Sequence, residues 1–194
     1  RDHKLALSVC EDIWHTKAVR QASRRGADLI LNLNASPFHL NKLKERKEMI
    51  SNHSQKYKLP IVYINQVGGQ DELVFDGTSM IMDKNGQQVV QLKKFESESR
   101  IVQFKKSGET GLDVLDSDKL KKENELEDVY KALVLGAKDY IEKNGFPGVL
   151  IGSSGGIDSA LTAVIAADAI GPDKVKTYMM PFKFTSDISV HDAE

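Results

Sequence analysis

The stretch GVLIGSSGGIDSALTAVIAADAI, Gly148–Ile170, decides the reading of this chain. A short run of small apolar residues breaks into Gly152-Ser153-Ser154-Gly155-Gly156, and an apolar run at helical spacing follows. Strand, glycine turn and helix N-terminus together make an anion site, because loop N–H groups and the positive end of the helix converge there. Ser153, Ser154 and Ser159 add hydroxyl donors. The run lacks the lysine of a Walker A loop: Ile157 stands where the second glycine of that motif belongs. It is not GxGxxG either. The carboxylate of Asp158 is out of place in a site that only binds phosphate, but suits one that also holds Mg²⁺. A tight turn capped by Ser154 or Asp158 would also explain the glycines.

Upstream and downstream, the pattern is α/β. After the loop, Ile157 to Ile170 reads as a helix, Gly171-Pro172-Asp173 as a turn, and Lys176 to Met180 as a second strand parallel to the first. Before it, Glu125 to Lys143 reads as an amphipathic helix with Leu126, Val129, Leu133 and Ala137 on its apolar face. Lys93 to Asn124 is dense in Lys, Glu, Ser and Asp and reads as a linker at a domain boundary. The first part of the chain alternates strands (4–10, 28–34, 60–65) with helices (13–25, 41–58), then places Asp83-Lys84-Asn85-Gly86 between apolar runs as a hairpin. Cys10 ends the first strand at a sharp turn, a good place to expose a nucleophile, although a lone cysteine is also commonly buried and inert. The five histidines are scattered without metal-ligand spacing and read as surface residues.

The bulk numbers narrow the class. With 194 residues and a net charge of −1, the chain has no electrostatic case for nucleic acid or an anionic membrane. No run is long and apolar enough to span a bilayer, and a single cysteine excludes an internal disulfide framework. A cytoplasmic setting is expected.

Ser154-Gly155-Gly156-Ile157-Asp158-Ser159 resembles the SGGxDS loop of the ATP pyrophosphatase family, and within it GSSGGIDSAL looks most like the NAD synthetases. Met180 to Asp187 resembles the MPSRYTSD segment of that family, with Phe182 and Lys183 as departures that leave individual ligand roles there unassigned. The words VCEDIW, GADLILNLNASPF and YINQVGGQDELVFDG resemble the glutamine-hydrolysing, nitrilase-like domain fused to many bacterial NAD synthetases. The resemblance implies the second half of a nitrilase-like α-β-β-α sandwich over 1–100 and a linker over 101–124. It implies the start of a Rossmann-like ATP pyrophosphatase domain over 125–194. Cys10 is then the nucleophile that releases ammonia from glutamine, and Ser36 and Lys42 contact glutamine. Gly152, Ser153, Ser154, Gly155, Gly156, Ile157, Asp158 and Ser159 hold ATP, with Asp158 also a Mg²⁺ ligand.

The implied reaction converts deamido-NAD, ATP and glutamine to NAD, AMP, pyrophosphate and glutamate, in a homo-oligomer. The family's general-base Glu and catalytic Lys precede the cysteine by tens of residues, so neither falls in this chain. A fragment inactive by itself is expected, and Glu11 and Lys4 do not fill those roles. The alternatives are another amidotransferase with an ATP pyrophosphatase domain, or a non-catalytic nucleotide-binding fragment.

Overall fold

The computed structural model describes residues 3–108, 111–118 and 124–193. They form two compact units, Arg1–Val67 with Phe75–Glu125, and Gly68–Val74 with Leu126–Glu194.

The first unit is built on a five-stranded sheet. Strands β1 (Leu5–Val9), β2 (Leu29–Asn34) and β3 (Ile61–Asn65) run parallel; β6 (Met80–Met82) and β7 (Gln88–Gln91) continue the sheet antiparallel. Strand alternation sends Ile30, Ile61, Tyr63, Met80 and Met82 to one face. There Val19 of helix α1 (Thr16–Arg24), Ile50 of α2 (Lys42–Tyr57), and Ile13 close the core over them. The other face carries Leu5, Leu7, Val9, Leu33 and Ile64, all exposed. The Asn-Gly turn forms as expected: Asp83 N donates to Gln87 O and Gly86, at φ +80°, donates to Asp83 O.

Strands β4 (Val67–Gln70) and β5 (Leu73–Asp76) make a hairpin that the glycine-rich sequence did not announce. Its tip belongs to the second unit. The stretch 101–124, expected to be a linker, instead holds strands β8 (Phe104–Lys106) and β9 (Leu112–Val114) within the first unit. Polar groups in and beside it pair with residues distant in sequence rather than solvate a coil. Arg100 binds Asp118 at 2.7 Å, Lys84 reaches Asp113 at 2.6 Å, and Gly111 N donates to the buried Asp28. Residues 119–123 of that expected linker lie outside the described residues.

In the second unit, helix α3 (Glu125–Lys143) packs on a β-α-β unit formed by β10 (Val149–Ser153), α4 (Ile157–Ile170) and β11 (Val175–Met179), whose strands pair in parallel. The helix face that packs only partly matches the one the spacing suggested, sharing Ala137 with it. Val134, Ala137 and Ile141 meet Ala169, Ile170, Val149 and Val175, while Leu126 and Leu133 stay exposed. The hairpin tip crosses α3 where both sides are glycine: a Cβ on Gly69 would lie 3.1 Å from Gly136 Cα, and Gly69 N donates to Asp139. A short helix α5 (Asp187–Ala193) ends the described chain. No helix among the described residues is long and apolar enough to cross a membrane.

Candidate functional site

Each unit contributes one candidate site. In the first, the residues singled out gather at the carboxyl ends of the parallel strands, the usual place for ligands in open α/β sheets. Cys10 follows β1, Ser36 lies two residues beyond β2, and Asn65 ends β3. Cys10 opens a 3-10 helix, Cys10–Trp14, with its backbone at φ +47°. A non-glycine residue in the left-handed region costs about 1–2 kcal/mol. Asp12 helps hold the bend by accepting from Val9 N at 3.1 Å. The strained strand-to-helix turn leaves the Cys10 side chain partly exposed, the arrangement expected of a presented nucleophile.

Lys42 opens α2, and its Nζ stands 4.2 Å from the centre of the Trp14 ring and 3.3 Å from Glu45. Trp14 belongs to the same 3-10 helix as Cys10, so Lys42 packs directly against the cysteine turn. Ser36 is buried and fully engaged through its backbone: its N donates to Asn65 Oδ1 and its O accepts from Asn65 Nδ2 and Arg46 Nη2. Beside it lies Tyr63, whose buried hydroxyl faces the Ser36 side chain. Burial pushes that hydroxyl above the ordinary tyrosine value; Arg46 and the Ser36 hydroxyl oppose the shift, and Asp76 and Cys10 add to it. At the end of β2, Asn32 donates to Ser8 Oγ at 3.0 Å and Asn34 to Asn32 Oδ1 at 2.6 Å. A cavity of about 470 Å³ lies between β3, β6 and residues 92–102, but Cys10, Ser36 and Lys42 do not line it.

One histidine departs from the surface expectation. His53 is buried on the inner face of α2, and burial holds it below the ordinary imidazole value. His3, His15, His39 and His191 are exposed. Among the described residues no three His, Cys, Asp or Glu side chains cluster to hold a metal. Arg46, Asp76, Asn65 and Tyr63 were not visible from sequence as site residues. Arg46 sits in a helix crowded with charges, where spacing alone does not separate a buried arginine from a solvated one.

In the second unit, Gly152 to Ser159 form the turn from β10 into α4. Gly155 is at φ +73°, and a Cβ there would come within 2.3 Å of Ser189 O, so the fold itself demands glycine. Gly152 is different. A Cβ there meets only Met180 Cε at 3.4 Å, an ordinary contact, and at Gly156 only the Ser154 hydroxyl at 3.3 Å. Local packing does not require glycine at Gly152, and at Gly156 it asks only that a hydroxyl move aside. Close approach of a ligand to the backbone would require both. Ser154 and Ser159 brace the turn: Ser154 N donates to Ser159 Oγ, and Ser159 Oγ donates to Gly156 O. Helix α4 has no side-chain cap, which leaves its first amide groups available to an anion. Asp158 stands exposed in that first turn, alongside Ile157.

The family model described as carbon-nitrogen hydrolase matches residues 1–109, more than half of the chain. The chain belongs to the carbon-nitrogen hydrolase family. Residues 129–194 match the NAD synthase model. The chain is 41% identical to the glutamine-dependent NAD(+) synthetase of Acinetobacter baylyi over 98% of its own length and 35% of that protein. It is 39% identical to the enzyme of the same name from Rhodobacter capsulatus, over 97% and 34%. Among solved structures, the glutamine-dependent NAD+ synthetase of Acinetobacter baumannii, in complex with ADP, superposes with a TM-score of 0.89 at 43% identity. That match covers 98% of this chain and 36% of the solved one. The chain thus spans about a third of the length of the relatives it matches. The fold of this chain is therefore the nitrilase-like α/β arrangement, followed by the start of an NAD synthase domain.

Proposed function

We propose that the chain is part of a glutamine-dependent NAD(+) synthetase, a ligase that amidates deamido-NAD with ammonia taken from glutamine. One observation carries the reading. The strained Cys10 turn lies in the part matched by the carbon-nitrogen hydrolase model, and a glycine loop with more glycine than packing requires lies in the part matched by the NAD synthase model of the same chain. Residues 1–100 would be the later part of the glutaminase domain and 125–194 the opening of the synthetase domain.

The Cys10 thiolate attacks the side-chain amide carbon of glutamine. The C–N bond breaks, the nitrogen takes up a proton and leaves as ammonia, and a thioester remains. Water then cleaves that thioester to glutamate and the free thiol. The resemblance implies a general-base Glu and a Lys for these proton transfers, both contributed by the protein outside this chain. Ser36 and Lys42 hold glutamine.

In the second unit, amides and hydroxyls of Gly152 to Ser159 hold the phosphates of ATP. A carboxylate oxygen of deamido-NAD attacks the α-phosphorus, and pyrophosphate departs from the loop. Ammonia then displaces AMP to give the amide. Asp158, exposed beside the loop, would be the residue to hold a Mg²⁺ ion, which would supply positive charge to neutralise the leaving group. A cytoplasmic homo-oligomer is the assembly this reading expects.

The full-length protein carrying Cys10→Ser should lose glutamine-dependent NAD formation by about 10³-fold or more, while keeping the rate supported by ammonium chloride. Glutamine-dependent synthesis surviving the substitution would sink the assignment.

A further inference from the structure

Arg46 is wholly buried in α2. Its guanidinium has five N–H groups, and five acceptor contacts surround it. Nε donates to Ser36 Oγ at 3.1 Å. Nη1 donates to both carboxylate oxygens of Asp76, at 2.8 and 3.0 Å. Nη2 donates to Ser36 O at 2.7 Å and Pro37 O at 2.9 Å. Asp76, also buried, takes a further hydrogen bond from Thr78 Oγ1 at 2.7 Å.

Such a pair is a poor way to gain stability. Two apolar side chains of similar volume would commonly serve the fold as well or better, because desolvating both charges offsets their attraction. What apolar side chains cannot do is clamp a loop in one conformation. Arg46 clamps only one: three of its five contacts go to Ser36 and Pro37. A guanidinium also accepts nothing. With Arg46 donating to one lone pair of Ser36 Oγ and the neighbouring Tyr63 hydroxyl placed to donate to the other, the serine's own O–H hydrogen is turned away from the guanidinium and left for a third partner. Lys42 sits one helical turn before Arg46, so a single stretch of α2 supplies both the lysine and the clamp.

We propose that Arg46, oriented by Asp76, is a positioning residue for glutamine: it fixes the Ser36–Pro37 turn and keeps the Ser36 hydroxyl as a donor to an oxygen of the substrate. The inference rests on the glutaminase reading above, and goes beyond it in naming what sets the serine's geometry.

The test uses the full-length enzyme and three variants. Arg46→Lys keeps the charge but loses the Nε donor and the planar fork. The double variant Arg46→Met/Asp76→Leu removes both buried charges together and so avoids stranding one. Ser36→Ala removes the clamped hydroxyl. Arg46→Lys and the double variant should each raise KM for glutamine about tenfold, with kcat within about threefold and the ammonium-supported rate unchanged. Adding Ser36→Ala to the double variant should change KM by less than about twofold, because the clamp and the hydroxyl act as one unit.

A KM within about twofold of wild type in Arg46→Lys overturns the inference. So does a lowered melting temperature with unchanged KM, which would mark the pair as structural, or a Ser36→Ala effect that multiplies fully with the double variant. If the double variant proves insoluble, the KM of Arg46→Lys decides alone. A wild-type enzyme that releases no ammonia from glutamine would overturn the glutaminase reading instead.

Discussion

Gly155 and Asp28 show how single residues are fixed by what lies around them. At Gly155 a methyl group would overlap Ser189 O, and the backbone already sits at φ +73°. Gly155→Ala should therefore destabilise the second unit by about 1–3 kcal/mol and weaken ATP binding with it. Urea denaturation and KM for ATP in the full-length enzyme read the two effects separately. Asp28 is buried, and backbone N–H groups of Lys4 and Gly111 hold its carboxyl below the ordinary aspartate value, with His3 assisting. A carboxyl depressed in the folded state contributes stability above its unfolded pKa of about 3.9 and loses it as pH falls through the folded value. Asp28→Asn should lower stability at neutral pH and flatten its decline below about pH 4. Chemical denaturation at a series of pH values checks both; an unchanged acid slope would refute the role given to Asp28.

At the scale of elements, the close approach of two backbones matters more than any charge. The β4–β5 hairpin lies on α3 because Gly69 and Gly136 leave no side chain at the crossing, and Asp139 then receives Gly69 N at 2.8 Å. Gly69→Val should push the hairpin tip off the helix, break that hydrogen bond, and cost about 1–3 kcal/mol in the second unit. Asp139→Asn, which keeps an acceptor for Gly69 N, should cost less than about 1 kcal/mol. Denaturant midpoints of the two variants test the ranking, and a larger loss in Asp139→Asn would mean that the Asp139–Lys143 ion pair, not the glycine crossing, carries the contact.

At the scale of the whole molecule, the first unit's sheet presents Leu5, Leu7, Val9, Leu33 and Ile64 on its outer face, with Leu7 75% exposed. A continuous apolar surface of this kind drives association in water. The 194-residue polypeptide by itself should self-associate at micromolar concentration, and Leu7→Lys with Leu33→Lys should shift it toward monomer. Sedimentation velocity checks this: a wild-type chain that stays monomeric would show that the face is tolerated in solvent.

Local chemistry by itself determined much of this protein. Strand alternation and helical periodicity placed β1, β2, β3, α2, α3 and α4, and the two short motifs around Cys10 and Gly152–Ser159 marked the two candidate sites. The existence and type of these elements are written in neighbouring residues and need no partner from elsewhere in the chain. Tertiary structure decided the rest. The expected linker gained strands because Arg100, Lys84 and Asp28 found partners at a distance. On α3, Ala137 packs as its spacing suggested, but Val134 and Ile141 join it while Leu126 and Leu133 stay exposed, because the neighbouring elements lie on that side. Arg46 and Asp76 lie 30 residues apart in sequence and meet at 2.8 Å. Nothing in a charged helix or in a Phe-Asp-Gly turn announces that pairing, because a buried ion pair exists only once the sheet brings its two halves together.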